Sequence, residues 1–306
     1  MKNILVVGSL NMDETVLMDV FPSAGQTVIG SAIRYAPGGK GNNQCIAAKR
    51  LGGDVKMAGM LGDDAHGAEL RALLRAEGVP EDLVFTCDQP TGMAQIQIDR
   101  KGQNRIVVVP SANHAFGFPE IDRIDEALKE TDIVLLQLEL RVDVTEEIIR
   151  RARAYGRTVL LNPAPASPIR ADILEQVDYL IPNETELAAL TGMPVDTAEQ
   201  ASLAAEALRG RGIRNVIVTL GALGVYASCA DFCGFVEGFR VQAVDTVAAG
   251  DCFIGAFAVG LAEGMPTKSA LRFANAAGAL AVQTRGAVPS LRTRAEVDAF
   301  LRAQTF

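Results

Sequence analysis

The chain has 306 residues, 49% of them hydrophobic, which is enough to bury the core of one sizeable α/β domain or two smaller ones. Its 37 acidic and 29 basic residues give a formal net charge of −8, so no basic surface is available for a nucleic-acid backbone. No apolar run approaches the roughly 20 residues of a membrane helix, the first residues are too strand-like for a signal peptide, and five scattered cysteines argue against a disulfide framework. We expect a cytoplasmic protein that binds neither nucleic acid nor membranes.

Short runs rich in valine, isoleucine and leucine alternate along the chain with segments of helical periodicity. The runs predict buried parallel strands at residues 4–7, 133–138, 158–161, 179–181 and 216–220. The helical segments are residues 144–155, 184–190, 197–211 and 268–283, with a surface helix at 294–302. This alternation predicts a layered α/β sheet with crossover helices, and no linker divides the chain.

Two regions interrupt that alternation. Residues 27–35 form the first, and the second is a pattern of alternating polar and apolar residues at 94–98 followed by 105–109, which predicts a β-hairpin. Half-apolar strands inserted into a parallel framework suggest a small separate sheet that covers a site as a lid.

Polar residues follow two of the predicted strands. Asn11 and Asp13 come after the first strand, and Glu139 ends the strand that begins near residue 133. Ligands of open α/β sheets bind at the carboxyl ends of the strands, so these side chains are candidate ligand contacts. A turn stabilised by Asn and Asp, and a solvated Glu, remain equally acceptable explanations.

A glycine-rich loop with three amides lies at residues 38–44, just before a helical segment. Its glycines permit close approach to a polar ligand, and the amides of Asn42, Asn43 and Gln44 suit sugar hydroxyls because each supplies a donor and an acceptor. The spacing of a Walker A loop is absent. The alternative is a turn that opens an ordinary helix.

Two later segments suggest nucleotide contacts. Asn183 and Glu186 open a helix after a strand, where they either cap that helix or organise hydrated Mg²⁺ and phosphates. Thr219, Gly221 and Gly224 end the last strong strand, which is a weak signal by itself.

The most informative segment is Asp245–Asp251, which continues directly into an apolar helix. The small residues Ala248, Ala249 and Gly250 leave backbone N–H groups at the helix start free to approach a phosphate. Asp251 would then be placed to accept a proton from an attacking hydroxyl. The alternative is that Asp251 caps an ordinary core helix.

These motifs, in this order, resemble those of the ribokinase (PfkB) family of carbohydrate kinases, and the similarity extends from Met1 to the C-terminal helix. The matching segments are Gly8–Asp13, Gly38–Gly41, Leu136–Glu139, Asn162–Ala166, Pro182–Glu186, Thr219–Gly221 and Asp245–Asp251. The resemblance implies a three-layer α/β/α sandwich spanning residues 1–306 as a single domain. A central, mostly parallel sheet and a small β-sheet lid, inserted at about residues 11–38 and 91–109, are implied with it.

The resemblance also implies an activity: ATP-dependent transfer of the γ-phosphoryl group to the 5-hydroxyl of a pentose, with Asp251 as the base beside Ala248, Ala249 and Gly250. Sugar contacts are implied at Asn11, Asp13, Gly38, Gly39, Lys40, Asn43, Glu139 and Asp251. Nucleotide contacts are implied at Asn183, Thr219, Gly221, Gly224, Gly250 and Asn275, with Glu186 acting through Mg²⁺ and its waters. A potassium ion is implied near the anion site, held largely by carbonyls at Asp245, Val247, Ala281, Thr284 and Gly286, together with Ser290.

Members of this family commonly form homodimers that pair their lids, and the same is expected here. Met12, Asn42 and Ile254 depart from ribokinase, and Met12 and Ile254 resemble deoxyribokinases, whereas Asp13 is ribokinase-like. We therefore expect D-ribose as the substrate, with 2-deoxyribose or a fructose-like sugar as alternatives. A sugar-binding regulator that has lost the chemistry is the alternative from another class.

Overall fold

The computed structural model describes residues 1–304. Its strands are β1 (Asn3–Val7), β2 (Asn11–Leu17), β3 (Ala32–Gly38), β4 (Asp54–Gly62), β5 (Leu83–Cys87), β6 (Gly92–Ile98), β7 (Asn104–Val109), β8 (Ile133–Leu136), β9 (Thr158–Leu161), β10 (Tyr179–Leu180), β11 (Val216–Thr219), β12 (Gly224–Ser228) and β13 (Cys233–Glu237). Its helices are α1 (Lys40–Arg50), α2 (Ala65–Ala76), α3 (Ala112–Ala115), α4 (Phe118–Arg123), α5 (Asp125–Glu130), α6 (Val142–Ala154), α7 (Ala171–Leu174), α8 (Glu184–Thr191), α9 (Ala198–Gly210), α10 (Ala249–Ala262), α11 (Thr267–Ala281), α12 (Ala287–Ser290) and α13 (Arg294–Ala303).

Nine strands form the main sheet, in the order β13-β12-β11-β10-β9-β8-β1-β4-β5. Every pair from β11 to β5 is parallel, and only the pairs β11–β12 and β12–β13 are antiparallel, so β12 alone runs against the other strands of this sheet. All five predicted strands belong to this sheet, which confirms the expected mostly parallel arrangement. Continuous apolar runs predicted them well because parallel strands between helical layers are buried on both faces.

Two hydrophobic cores lie on opposite faces of the main sheet. In β1, Ile4 and Val6 belong to one core and Leu5 and Val7 to the other, as the alternation of a strand requires. The helices α1, α10 and α11 contribute to the first core, and α6, α8 and α9 contribute to the second. The predicted three-layer α/β/α sandwich is therefore confirmed.

A separate four-stranded sheet has the order β3-β2-β6-β7. Strands β6 and β7 pair antiparallel, as the predicted hairpin requires. Residues 27–35 interrupt the alternation, but only residues 32–35 of them belong to a strand, because β3 begins at Ala32 and continues to Gly38. Residues 27–31 lack the antiparallel partners that β2 provides for β3 from Leu17 to Asn11.

The alternative interpretation of Asn11 and Asp13 as part of a turn is wrong. The chain passes from β1 almost directly into β2, so both residues lie on the first strand of the small sheet. There they pair with Gly38 and Ala36 of β3 on one side and with Gly92 and Ala94 of β6 on the other. Both residues therefore lie where the small sheet joins the main one.

Within residues 1–304, no helix combines the length and the apolar character that crossing a membrane requires.

Candidate active site

The carboxyl ends of several strands and the start of α10 line one open cleft of about 800 Å³. Lys40, Ala248, Ala249 and Asp251 lie on its wall. All seven residues expected to contact a nucleotide lie on the same wall: Asn183, Glu186, Thr219, Gly221, Gly224, Gly250 and Asn275. The fold thus brings the candidate base and the candidate nucleotide contacts to one cavity.

The start of α10 has the features of an anion-binding helix N-terminus. Ala248 adopts a left-handed conformation with φ of 60°, and the helix begins at the next residue. The first N–H groups of an α-helix have no intrahelical acceptor, and the helix dipole adds partial positive charge there. Apart from its chain neighbours and the backbone of its own helix, nothing lies within 4 Å of the position that a Cβ of Gly250 would take, so the backbone is open to a phosphoryl oxygen.

Asp251 does not cap this helix, so the alternative interpretation of Asp251 as an N-cap is wrong. Ala248 takes the capping position, no side chain caps α10, and Asp251 falls inside the first turn. Its buried carboxylate instead meets α1: Oδ2 accepts a hydrogen bond from Asn43 Nδ2 at 3.0 Å, and Oδ1 accepts one from Gln44 Nε2 at 2.9 Å. The carboxylate is thus held beside the open N–H groups.

Two further carboxylates, those of Asp13 and Glu139, interact with Lys40 and Asp251. Burial, together with the charges of Glu139 and Asp251, raises the pKa of Asp13 to about 7, against the opposing charge of Lys40. Glu139 Oε2 accepts hydrogen bonds from the Ser9 hydroxyl and, at 3.1 Å, from the Lys40 backbone N–H. The charges of Asp13, Glu139 and Asp251 all act on the Lys40 ammonium group, and together these four side chains can exchange hydrogen bonds with several hydroxyls; we call them the carboxylate recess.

The Lys40 side chain is the cation of this recess. Burial alone would lower its pKa, but the charges of Asp251, Glu139, Glu186 and Asp13 outweigh burial and hold the pKa above its ordinary value. Lys40 therefore stays charged between the recess and the cleft. A fixed cation there can neutralise charge on a phosphoryl group.

Asn11 and the glycine pair 38–39 border the recess. Asn11 is 2% exposed, and its Oδ1 accepts a hydrogen bond from Asn113 Nδ2 at 2.7 Å, which fixes the amide. Gly39 has φ of 92° and precedes the first residue of α1, so a left-handed backbone turns the chain from β3 into the helix. This turn starts α1 at Lys40, earlier than the pattern predicted, and includes Asn43 in its first turn.

Asn183 and Glu186 cap α8, the first of the two roles that the sequence suggested, and both also lie on the wall of the cleft. They form a capping box, in which Glu186 Oε2 accepts from the Asn183 backbone N–H at 2.9 Å and Asn183 Oδ1 accepts from the Glu186 N–H at 2.8 Å. Asn183 Nδ2 donates to the other Glu186 oxygen at 3.0 Å. The bond from the Thr219 N–H to the Pro182 carbonyl brings Thr219 beside them.

Asn275 lies across the cleft, on α11. Its Nδ2 donates to the carbonyls of Val236 and Glu237, at 3.1 Å each, which ties α11 to the edge strand β13. The amide is only 8% exposed, and its orientation is set by these two bonds. Asn275 therefore belongs to a rigid wall of the cleft.

The six residues expected around potassium do not line the cleft. They belong to two segments, one before α10 and one from the end of α11 onward, which hydrogen bonds bring together. The Val244 and Asp245 N–H groups donate to the Val282 carbonyl, and Asp245 Oδ2 accepts from the Gly286 N–H at 2.9 Å. These bonds join the segment before α10 to the segment after α11. The Ser290 hydroxyl is directed to the Ala287 carbonyl.

Cys252 follows Asp251 on α10 and is buried. Burial raises the pKa of the Cys252 thiol to about 12, so the thiol beside Asp251 is a packing group rather than a nucleophile. Among residues 1–304, no cluster of three or more His, Cys, Asp or Glu side chains is arranged to hold a metal ion.

Several residues of the site were not singled out from the sequence. The sequence pattern presents Gln44 only as one amide of its loop and gives no role of their own to Ser9, Asn113, Gln137 and Asn162. Gln137 did carry a signal, because it is a polar residue within the otherwise apolar run 133–138. The partners that the others have within the site lie from 32 to 207 residues away, which no local pattern reveals.

Residues 1–294 match the pfkB family carbohydrate kinases. The chain therefore belongs to this family of carbohydrate kinases, as the motifs predicted. It is similar to ribokinase of Haemophilus influenzae, with 37% identity over 98% of each chain, and to deoxyribokinase of Salmonella typhi, with 34% identity over 98% of each chain. The solved structure of Arabidopsis thaliana ribokinase complexed with ribose and ATP superposes with a TM-score of 0.92, at 35% identity, covering 98% of this chain and 99% of that one.

Proposed function

We propose that the protein phosphorylates the 5-hydroxyl of D-ribose with ATP, and that Asp251 is the general base. The observation that carries the proposal is the position of Asp251: it lies on the wall of the cleft and its charge acts on Asp13 of the carboxylate recess. A base between a nucleotide cleft and a hydroxyl-binding recess is what phosphoryl transfer to a sugar requires. The similarity to ribokinases, one of them solved with ribose and ATP, supports the substrate pair.

In the proposed reaction the 5-hydroxyl oxygen attacks the γ-phosphorus, and its proton moves to the Asp251 carboxylate. The bond between the γ-phosphorus and the bridging oxygen breaks, and ADP leaves with that bond's electron pair. The N–H groups at the start of α10 donate to the phosphoryl oxygens as their charge is redistributed. Lys40 adds a fixed positive charge between the two substrates.

The small sheet is proposed to act as a lid. Asn11 and Asp13 lie on β2, so sugar bound in the recess contacts the first strand of this sheet. Closure over the sugar would exclude water and prevent hydrolysis of ATP. Rapid ATP hydrolysis without sugar would contradict this role of the lid.

A coupled assay of ADP formation tests the proposal, with ribose, 2-deoxyribose, fructose, tagatose and adenosine compared at equal concentrations. We expect ADP formation that depends on ribose. Stabilisation by ribose without any ADP formation would instead identify a sugar-binding regulator. Turnover with adenosine alone would contradict the sugar recess.

The second candidate substrate is 2-deoxyribose, with a fructose-like sugar as a more distant alternative. Ile254 lies on the wall of the cleft one turn after Asp251, where an apolar side chain provides no partner for a sugar hydroxyl. Similarity to the Salmonella typhi deoxyribokinase supports the same alternative. Met12 is weaker evidence for 2-deoxyribose, because its side chain is fully buried and points to the opposite face of β2 from Asn11 and Asp13.

Magnesium is proposed to enter with the nucleotide. Both Glu186 oxygens already accept hydrogen bonds from Asn183, and burial raises the pKa of this carboxyl. The pair therefore fits water-mediated contact with Mg²⁺ that is held mainly by phosphate oxygens. When bound, the ion neutralises phosphate charge during transfer.

Potassium is proposed to bind near the start of α10, between the two segments joined by Asp245. The fit rests on donor chemistry, since backbone carbonyls and the Ser290 hydroxyl supply the oxygens that alkali cations prefer. The residues concerned are Asp245, Val247, Ala281, Thr284, Gly286 and Ser290. Their proposed contribution is to hold the turn before Ala248 in its anion-binding conformation.

We also propose that two copies pair through the small sheet, in the cytoplasm. Strand β7 is an edge strand with every residue exposed, and it carries Ile106, Val107, Val108 and Val109. An unprotected apolar edge promotes association with another chain. On β3, the opposite edge, Ile33 is also 54% exposed.

A further inference from the structure

A chain of buried side-chain amides leads from the end of β8 to Asp251. Gln137 Nε2 donates to Gln44 Oε1 at 2.7 Å. Gln44 Nε2 donates to Asp251 Oδ1 at 2.9 Å and to Asn162 Oδ1 at 3.2 Å. Because Gln137 donates to the oxygen of Gln44, the Gln44 amide is oriented with its N–H groups toward the two remaining acceptors.

Gln44 has no capacity left for a substrate. Its side chain is fully buried, both Nε2 hydrogens are donated, and its oxygen is occupied. Asn43 differs, because its Oδ1 is buried without a partner while its Nδ2 donates to Asp251. Any effect of Gln44 on the reaction must therefore pass through the side chains that it contacts, and among these Asp251 is the candidate base.

Close packing of two helices makes this contact possible. Gly255 lies one turn after Asp251 on α10, and a Cβ there would come within 2.8 Å of both the Ala47 Cβ and the Gln44 carbonyl. Helix α1 therefore packs against α10 at a distance that only glycine permits. At this distance the Gln44 amide reaches the carboxylate of Asp251.

We propose that Gln44 is a positioning residue for the base and that Gln137 holds Gln44 in place. With Oδ1 anchored by Gln44, the Asp251 carboxylate keeps one orientation, and Oδ2 presents its remaining lone pair to the sugar hydroxyl. Small errors in the position of a reacting group cost about 10²-fold in rate. The inference depends on the proposed role of Asp251 as the base.

The first test replaces the donor with a side chain of similar length. Gln44→Met should lower kcat by about 10- to 100-fold while KM for ribose stays within about twofold, since substrate contacts are kept. Gln137→Met should lower kcat in the same direction by a smaller factor. If Gln44→Met does not fold in a thermal melt, Gln137→Met carries the test, and a wild-type kcat in the folded variant overturns the proposal.

A pH profile distinguishes positioning from loss of packing. Gln44→Glu places a second carboxylate beside Asp251, and repulsion between like charges raises the pKa of the base. The acid limb of kcat against pH should therefore move to higher pH in Gln44→Glu and stay in place in Gln137→Met. An unmoved limb in Gln44→Glu contradicts the contact.

A double-mutant cycle shows whether Gln44 acts through Asp251. In the Asp251→Asn background, Gln44→Met should cause little further loss of kcat, because the group it positions is already gone. A further loss as large as in the wild-type background overturns the proposal. If the wild-type protein forms no ADP with any sugar, the proposed function fails; if it does so but Gln44→Met keeps the wild-type kcat, only the positioning role fails.

Discussion

Removing the charge of Asp13 should stabilise the protein in a pH-dependent way. Burial and the charges of Glu139 and Asp251 raise the pKa of Asp13 from 3.8 to about 7 in the folded protein. Between these values the folded protein keeps a proton that the unfolded chain releases. The free energy of unfolding contributed by Asp13 therefore falls as the pH rises through this window, and it is fully present only below pH 3.8.

The size of the effect follows from the shift. Each pKa unit corresponds to about 1.4 kcal/mol, so a rise from 3.8 to about 7 gives an upper limit of about 4 kcal/mol. Asp13→Asn removes this pH-dependent contribution to the free energy of unfolding and keeps the size of the side chain. The variant should thus gain stability relative to the wild type as the pH rises from 4 to 8. It should also lose affinity for sugar, because carboxylate clusters at binding sites are retained for binding at a cost in stability.

Urea unfolding of the sugar-free protein at several pH values between 4 and 8 measures this difference. Glu139→Gln is the matched variant, since it removes one of the charges that raise the pKa of Asp13 and should reduce the slope of stability against pH. A difference between Asp13→Asn and the wild type that is the same at every pH would refute the reasoning.

Four further changes test other parts of the site. Ile254→Asn should raise the preference for ribose over 2-deoxyribose by about 10-fold, because an amide can pair with the additional hydroxyl; competition between the two sugars measures it. Glu186→Gln should raise the Mg²⁺ concentration needed for half-maximal activity, seen in a magnesium titration. Potassium should activate more than sodium, and equal rates in both salts count against the proposed ion site. Val107→Asp should shift the mass in light scattering to that of one chain, whereas Leu203→Asp, equally exposed on α9, should leave it unchanged.

The main sheet could be predicted because its strands are buried on both faces and appear as continuous apolar runs. The run that became β8 is short, continuous and followed by the helical pattern that became α6, which favours a buried strand. The start of α1 was placed too late, because the left-handed backbone at Gly39 has no signature in the apolar pattern. The local pattern does not indicate strand β2, because four of its first five residues are polar; only the family resemblance implies lid strands in this region.

The residues of the site were predictable as motifs, but their connections were not. The contact of Gln44 with Asp251 joins positions 207 residues apart and depends on how closely α1 and α10 pack at Gly255. Likewise, the raised pKa of Asp13 depends on charges that the fold brings together from three separate segments. Such features follow from tertiary packing, which local sequence does not encode.

The central claim is that Asp251 removes the proton from the attacking hydroxyl. The most direct measurement is the rate of ribose-dependent ADP formation by Asp251→Asn, with ribose binding measured by calorimetry in the same samples. The control is Asp82→Asn, because Asp82 is an exposed carboxylate outside the cleft. We predict that kcat falls by about 10²-fold or more while ribose still binds and the control keeps its rate. Turnover close to that of the wild type in Asp251→Asn would contradict the account.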